Sequence, residues 1–277
     1  MDMKRNTIWL LSFIMIVTAI TIVPQSIDSI KVRAEKFFVD ENYKEAIKEL
    51  EKLQPTAETQ LKVGIANIKI WNMSAAMRAL RQAEKLSPNN LEVKATIAEV
   101  MSWNKDFDDA IELFRSVFSK GYNSTNARLV YARTLAWNKE YDDAIKEYQE
   151  MVKNDLSNYD AYIGLGQTLS WQKKFDLSMN AFQKAIANST SGKDKSAATV
   201  YIAQILSWKG ELEKSITTYE KALQLNKKNV DALFGLGEVN EWISRYPSAK
   251  KYYEQILQIQ PGHKAAKAKL LQLMWVK

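Results

Sequence analysis

The residues of this chain best equipped for chemistry are its aromatic ones. Seven of the eight tryptophans fall at nearly one interval: Trp71, Trp103, Trp137, Trp171, Trp208, Trp242 and Trp275, in steps of 32, 34, 34, 37, 34 and 33 residues. An indole face can stack on a sugar ring or a peptide side chain, and an indole body can wedge between packed elements. Residues suited to catalysis are scarce by comparison. There is no cysteine, which removes disulfides, thiol nucleophiles and thiolate-held metals. The single histidine, His263, follows Pro261-Gly262 and suits a helix start better than a general base. Asp106, Asp108 and Asp109, like Asp142-Asp143, are dense enough in charge to tempt a cation. They fall where helices should begin, and there carboxylates cap free N–H groups and favour the helix dipole. No glycine-rich phosphate loop, paired-glycine fingerprint or His/Asp metal spacing occurs. No catalytic, cofactor-binding or metal-ligating residue is therefore expected, and the chain reads as a non-enzyme.

The elements that position the tryptophans show in the columns around them. Five residues before each Trp stands a small residue: Ala66, Ala98, Ala132, Gly166, Ala203 and Gly237. After it comes a small-x-x-x-aromatic pair, Ala110/Phe114, Ala144/Tyr148, Ser178/Phe182, Ser215/Tyr219 and Ala249/Tyr253. Small residues let two helix backbones approach, and the aromatic fills the space beside them. Apolar spacing of three to four within each half predicts two amphipathic helices per unit. Turn formers separate the halves, as in Asn104-Lys105-Asp106, and Pro88-Asn89-Asn90 and Pro261-Gly262 separate units. The interval ending at Trp103 reads as two residues short near Asn72–Ser74. The interval ending at Trp208 reads as three residues long, with Asn188–Lys195 as an exposed loop.

Two helices per 34 residues with these columns resemble the tetratricopeptide repeat. Leu165-Gly166 and Leu236-Gly237 match its Leu-Gly pair, the Ala-x-x-x-aromatic pairs match its second helix, and Pro88 and Pro261 match its closing proline. The Trp at the end of each first helix departs from the family pattern. It is similar to the repeat segments of bacterial cell-envelope proteins that accompany polysaccharide export. The resemblance implies an all-α right-handed solenoid of six to seven hairpins over residues 29–277, with repeats at about 29–57, 58–90, 91–124, 125–158, 159–195, 196–229 and 230–262 and a cap at 263–277. Val39 stands where the first copy would carry its Trp. Such solenoids hold extended peptides or helices on the inner face of their first helices. That face offers Glu99, Ser102, Trp103, Arg133, Trp137, Ile163, Gln167, Trp171, Gln204, Trp208, Glu238 and Trp242 as a candidate groove. Packing between repeats is the main role expected of the Trp column, with stacking on a ligand as the alternative.

Charge and the first residues bound the setting. The net charge is +7, of which Lys264, Lys267, Lys269 and Lys277 supply four, so the array itself is nearly balanced. A nucleic-acid groove would instead spread Lys and Arg along every repeat, and no such partner is expected. Lys4-Arg5 precedes an apolar run from Ile8 to Val23, closed by Pro24. This reads as a signal peptide or an uncleaved signal-anchor helix over residues 1–28, so the array is expected to be exported and either membrane-held or released. The expected function is an extracytoplasmic scaffold that binds a protein partner and helps assemble an envelope complex. The alternative is a glycan-associated module of a polysaccharide system. Asn72, Asn123 and Asn188 head glycosylation sequons that matter only where that machinery exists.

Overall fold

The structure, a computed structural model, describes residues 26–274. The expected signal or anchor segment lies almost wholly outside these residues, as does Trp275. Among the described residues no helix is long and apolar enough to cross a membrane, and all the regular structure is helical. Seven hairpins follow one another: α1 (Ile27–Val39) with α2 (Tyr43–Leu50), α3 (Ala57–Lys69) with α4 (Met73–Leu86), α5 (Leu91–Trp103) with α6 (Phe107–Ser119), α7 (Thr125–Trp137) with α8 (Tyr141–Asn154), α9 (Tyr159–Trp171) with α10 (Phe175–Asn188), α11 (Gly192–Trp208) with α12 (Leu212–Leu225), and α13 (Val230–Trp242) with α14 (Tyr246–Ile259). A single helix, α15 (Lys264–Leu273), closes the row. Each helix packs on its neighbours in the chain, and first helices of adjacent hairpins also touch.

First helices start with a side-chain cap, whereas among the described second helices Asn72 alone, before α4, accepts such a bond, from Ala75 N at 3.3 Å. Thr56, Asn90, Ser124, Asn158, Ser191 and Asn229 each accept a backbone N–H three residues on, which satisfies a donor that a helix end leaves free. His263 does the same for α15, with Nδ1 accepting from Ala266 N at 3.1 Å. The acidic clusters do not cap in this way. Asp106 makes no side-chain cap bond. Asp108 accepts from Asn138 at 2.9 Å and Asp142 from Gln172 at 2.9 Å, each tying one repeat to the next. The capping expected for these carboxylates is thus corrected to inter-repeat bridging, with the dipole benefit of a first-turn acid retained.

The turn inside each hairpin fixes the register. One residue per turn takes a left-handed conformation: Glu41, Trp71, Lys105, Lys139, Lys173, Gly210 and Ser244. Counted from this residue, the repeats run at 34 residues from Trp71 to Lys173 with no gap. Trp71 therefore stands at the turn, where the later repeats have Lys105 or Lys139, and Lys69 occupies the tryptophan position. The two-residue deletion expected near Asn72–Ser74 does not exist. Gly64, not Ala66, is the small residue facing the second helix, where an added β-carbon would sit 2.6 Å from Leu80. The expected loop at 188–195 is also corrected. Ser191 caps a first turn at Gly192–Lys195 that lengthens α11 to 17 residues, against 13 in α9 and α13.

The core follows the columns. Phe114, Tyr148, Phe182, Tyr219 and Tyr253 are all buried beside Ala or Ser on their own helix and Ala or Gly on the first helix. Gly166 lets Phe182 approach, since a β-carbon there would meet the ring at 2.6 Å. Aromatic clusters join successive hairpins, with Phe114 5.7 Å from Tyr131 and Phe182 stacked 4.9 Å from Tyr201.

Candidate partner-binding groove

Each tryptophan from Trp103 to Trp242 is the last residue of a first helix, so the column sits along one edge of the inner face, just before the hairpin turn. Trp103, Trp137, Trp171 and Trp208 each pack against an aromatic ring of the preceding repeat. Phe107, Tyr141 and Phe175, each opening a second helix, lie 6.2, 6.2 and 6.3 Å from Trp137, Trp171 and Trp208. Trp103 lies 5.0 Å from Trp71 and 5.1 Å from Trp137. The column nonetheless divides in two. Trp103 and Trp137 are half-buried, whereas Trp171, Trp208 and Trp242 expose 46%, 59% and 54% of their surface. Inter-repeat packing describes the first pair; the last three keep much of their surface in solvent.

The polar candidates alternate with these rings. Glu99, Arg133, Gln167, Gln204 and Glu238, one turn before each Trp, are all half-buried on the inner face. Burial pushes the Glu99 carboxyl up, opposed by the Trp103 indole N–H and by Lys69 and Arg133. The Trp103 Nε1 is itself buried without a partner of good hydrogen-bond geometry. Burial pushes the Tyr148 hydroxyl up to about 12, against the pull of Arg133 beside it. Ser102 does not belong to the groove. It is buried, donates to Ala98 O at 2.8 Å and accepts from Thr134 at 2.7 Å, so its hydroxyl links two first helices. Its spacing put it next to Trp103 in the sequence, but a helix carries adjacent residues on different faces. Ile163 packs against Tyr162, Ala185 and Ala198 and serves mainly the core.

Six of the candidates, Gln167, Trp171, Gln204, Trp208, Glu238 and Trp242, come together at the C-terminal half. One cleft of 110 Å³ is lined by Gln167, Ser170, Trp171, Phe182, Tyr201, Gln204 and Trp208. The next, of 190 Å³, shares Gln204 and Trp208 and adds Tyr219, Asp231, Phe234, Glu238 and Trp242. Toward the N-terminus a cleft of 250 Å³ includes Lys69, Glu92, Thr96, Glu99 and Tyr122. Spacing from the tryptophans could not find Asp231, which reaches the groove from the start of α13, or Tyr219, which reaches it from the second helix α12; Tyr201, two turns before Trp208 on α11, lay within its reach. Among the described residues no group of acidic or histidine side chains is arranged to hold a metal.

Models of the tetratricopeptide repeat match residues 72–133, 104–157, 138–193 and 231–263, and a TPR repeat model matches 204–241. Together they cover well over half of the chain, which belongs to the tetratricopeptide repeat family. No match was found among curated proteins. Among solved structures, the chain is similar to a tetratricopeptide repeat protein from Parabacteroides merdae ATCC 43184 at 11% identity and TM-score 0.69, over 89% of this chain and 98% of that one. It is similar to PilW, described as a type IV pilus biogenesis factor, at 16% identity and TM-score 0.64, over 79% and 98%. It also resembles a chain of the APC/C hetero-tetramer Cut9-Hcn1 at 15% identity and TM-score 0.66, where it covers 91% of its own length but only 50% of the other chain. At these identities the likeness shows the fold.

Proposed function

We propose that this chain is a non-enzymatic scaffold whose groove holds a protein partner and helps assemble a complex of the cell envelope. The supporting observation is the adjoining pair of clefts along Trp171, Trp208 and Trp242, where exposed indoles alternate with the amide and carboxylate groups of Gln167, Gln204 and Glu238. Exposed aromatic rings anchored from behind supply large contact area at low entropic cost, and the polar groups between them set register. Tetratricopeptide arrays are repeat scaffolds, and the pilus biogenesis factor among the similar structures is consistent with an envelope role. An extracytoplasmic location is part of the proposal and rests on Lys4-Arg5 followed by the apolar run Ile8–Val23.

The direct test is affinity isolation of the full chain from membranes, with Trp171→Ala and Trp208→Ala compared against wild type. A stoichiometric protein recovered with wild type and lost from both variants, at unchanged thermal unfolding, supports the scaffold. Protease added outside intact spheroplasts should digest the array; full protection would sink the exported location. A second reading is favoured by the same exposed indoles: stacking on the sugar rings of an envelope polysaccharide. Saturable oligosaccharide binding abolished by these substitutions, without any recovered protein, would establish it instead.

A further inference from the structure

The clefts along the groove are not equivalent in charge. The middle one, between α9 and α11, is lined by no charged side chain; Gln167, Ser170 and Gln204 are polar residues of its lining. The N-terminal one carries Glu92 and Glu99 but also its own cation, Lys69. The last one, between α11 and α13, is lined by Asp231 and Glu238 and by no lysine, arginine or histidine. Its lining also includes the aromatic residues Trp208, Trp242, Phe234 and Tyr219, with both indoles exposed. The cation that acts on Glu238 is Lys269, and it is already committed to Glu241 at 2.6 Å.

Two carboxylates beside the two exposed indoles, Trp208 and Trp242, form a recognisable chemistry. An ammonium or guanidinium group is attracted to the negative face of an indole, most strongly when water is excluded, and a carboxylate adds a charge-assisted hydrogen bond. A neutral sugar would gain the stacking but not the charge. An anionic side chain would be repelled.

We propose that this cleft is the seat for a basic side chain, lysine or arginine, presented by the protein held in the groove. The inference rests on the scaffold proposed above and adds to it what the partner must present. Two further observations agree with it. Burial and the neighbouring Glu241 carboxylate push the Glu238 carboxyl up, so its ionised form lacks full compensation and a bound cation would supply it. Trp208 is held from behind by Phe175 at 6.3 Å, so its exposed surface is ready for a ligand before one arrives.

The test uses the full-length chain labelled with 5-fluorotryptophan, with the fluorine resonances assigned by Trp208→Phe and Trp242→Phe. The probes are the N-acetyl methylamides of lysine, arginine and norleucine, plus a neutral gluco-oligosaccharide. Saturable shifts of the Trp208 and Trp242 resonances by the lysine or arginine probe are expected. Norleucine, one heavy atom shorter than lysine and uncharged, should bind at least ten-fold more weakly. Glu238→Gln, which preserves shape, should weaken the basic probe about ten-fold, and Asp231→Asn should weaken it in the same direction, both at unchanged thermal unfolding. Equal binding of lysine and norleucine probes overturns the inference. So does oligosaccharide binding where the basic probes fail, or an unchanged response in Glu238→Gln. Those failures leave the scaffold standing if a partner is still lost from Trp171→Ala and Trp208→Ala. A basic probe that binds as expected, with no partner recovered, would fault the scaffold instead.

Discussion

Single residues carry costs that the regular helices around them hide. Lys105, Lys139 and Lys173 each adopt the left-handed conformation at a hairpin turn, with φ of 71°, 67° and 60°, where the neighbouring repeat uses Gly210. A side chain in this conformation costs roughly 1–2 kcal/mol, part of which glycine returns through the entropy of the unfolded chain. Lys139→Gly should therefore stabilise the protein by about 0.5–1 kcal/mol in urea unfolding, and a loss of stability would mean the lysine makes a contact worth more than the strain. Glu99 carries a cost of another kind. Burial raises its folded-state pKa, so the folded chain binds the proton more tightly than the unfolded chain. Stability then falls as pH rises from the ordinary carboxylate range through the raised value. Glu99→Gln removes that loss while keeping an oxygen for the Trp103 N–H. Its advantage over wild type should be larger at pH 7 than at pH 4 in paired denaturation curves. An advantage equal at the two pH values would show that the carboxyl is compensated in the fold.

At the scale of elements, the size of one side chain selects its neighbour in the next repeat. Tyr148 and Tyr219 each extend past their own hairpin to the next first helix, and there the sequence has Gly164 and Gly235. Where the aromatic is the smaller Phe182, the next first helix presents Tyr201, stacked on it. Alanine is a better helix former than glycine by about 1 kcal/mol, so propensity alone favours Gly164→Ala. The added β-carbon would overlap the buried Tyr148 ring, and overpacking of this kind costs typically 1–3 kcal/mol. Packing should win. Gly164→Ala is expected to lower the urea midpoint, whereas a raised midpoint would mean the ring can move aside. The small and aromatic columns were legible in the sequence because every repeat solves the same packing problem. The register of Trp71 was not. Its identity matched the tryptophan column, while its place is dictated by the backbone of the turn. Nor was the fate of 188–195: its Ser, Thr and Gly read as loop, yet Ser191 caps a helical turn that neighbours in space allow. The groove was half legible, since helix period gives the turns before each Trp but not the residues added from a second helix or from the start of the next first helix, such as Tyr219 and Asp231.

As a whole molecule the chain is close to one-dimensional. Each hairpin touches its neighbours and little else, so stability resembles a sum of local terms and nearest-neighbour interfaces. The helix α15 covers the last hairpin: Ala266 and Leu273 are buried with Leu233, Tyr253 and Ile256, while Lys264, Lys267, Leu271 and Met274 face solvent. The cap also bears on the proposed cation seat, because Lys269 of α15 neutralises Glu241 behind it. Ending the chain at Gly262 would uncover Tyr253 and Ile256 and leave Glu241 without its partner. The loss should be local. Amide exchange in α13 and α14 is expected to quicken many-fold, with α5 and α6 unchanged, and the shortened chain should self-associate through the uncovered face on size-exclusion chromatography. Exchange that quickens equally in every hairpin would instead show that the array unfolds as one cooperative unit, with the cap holding all of it.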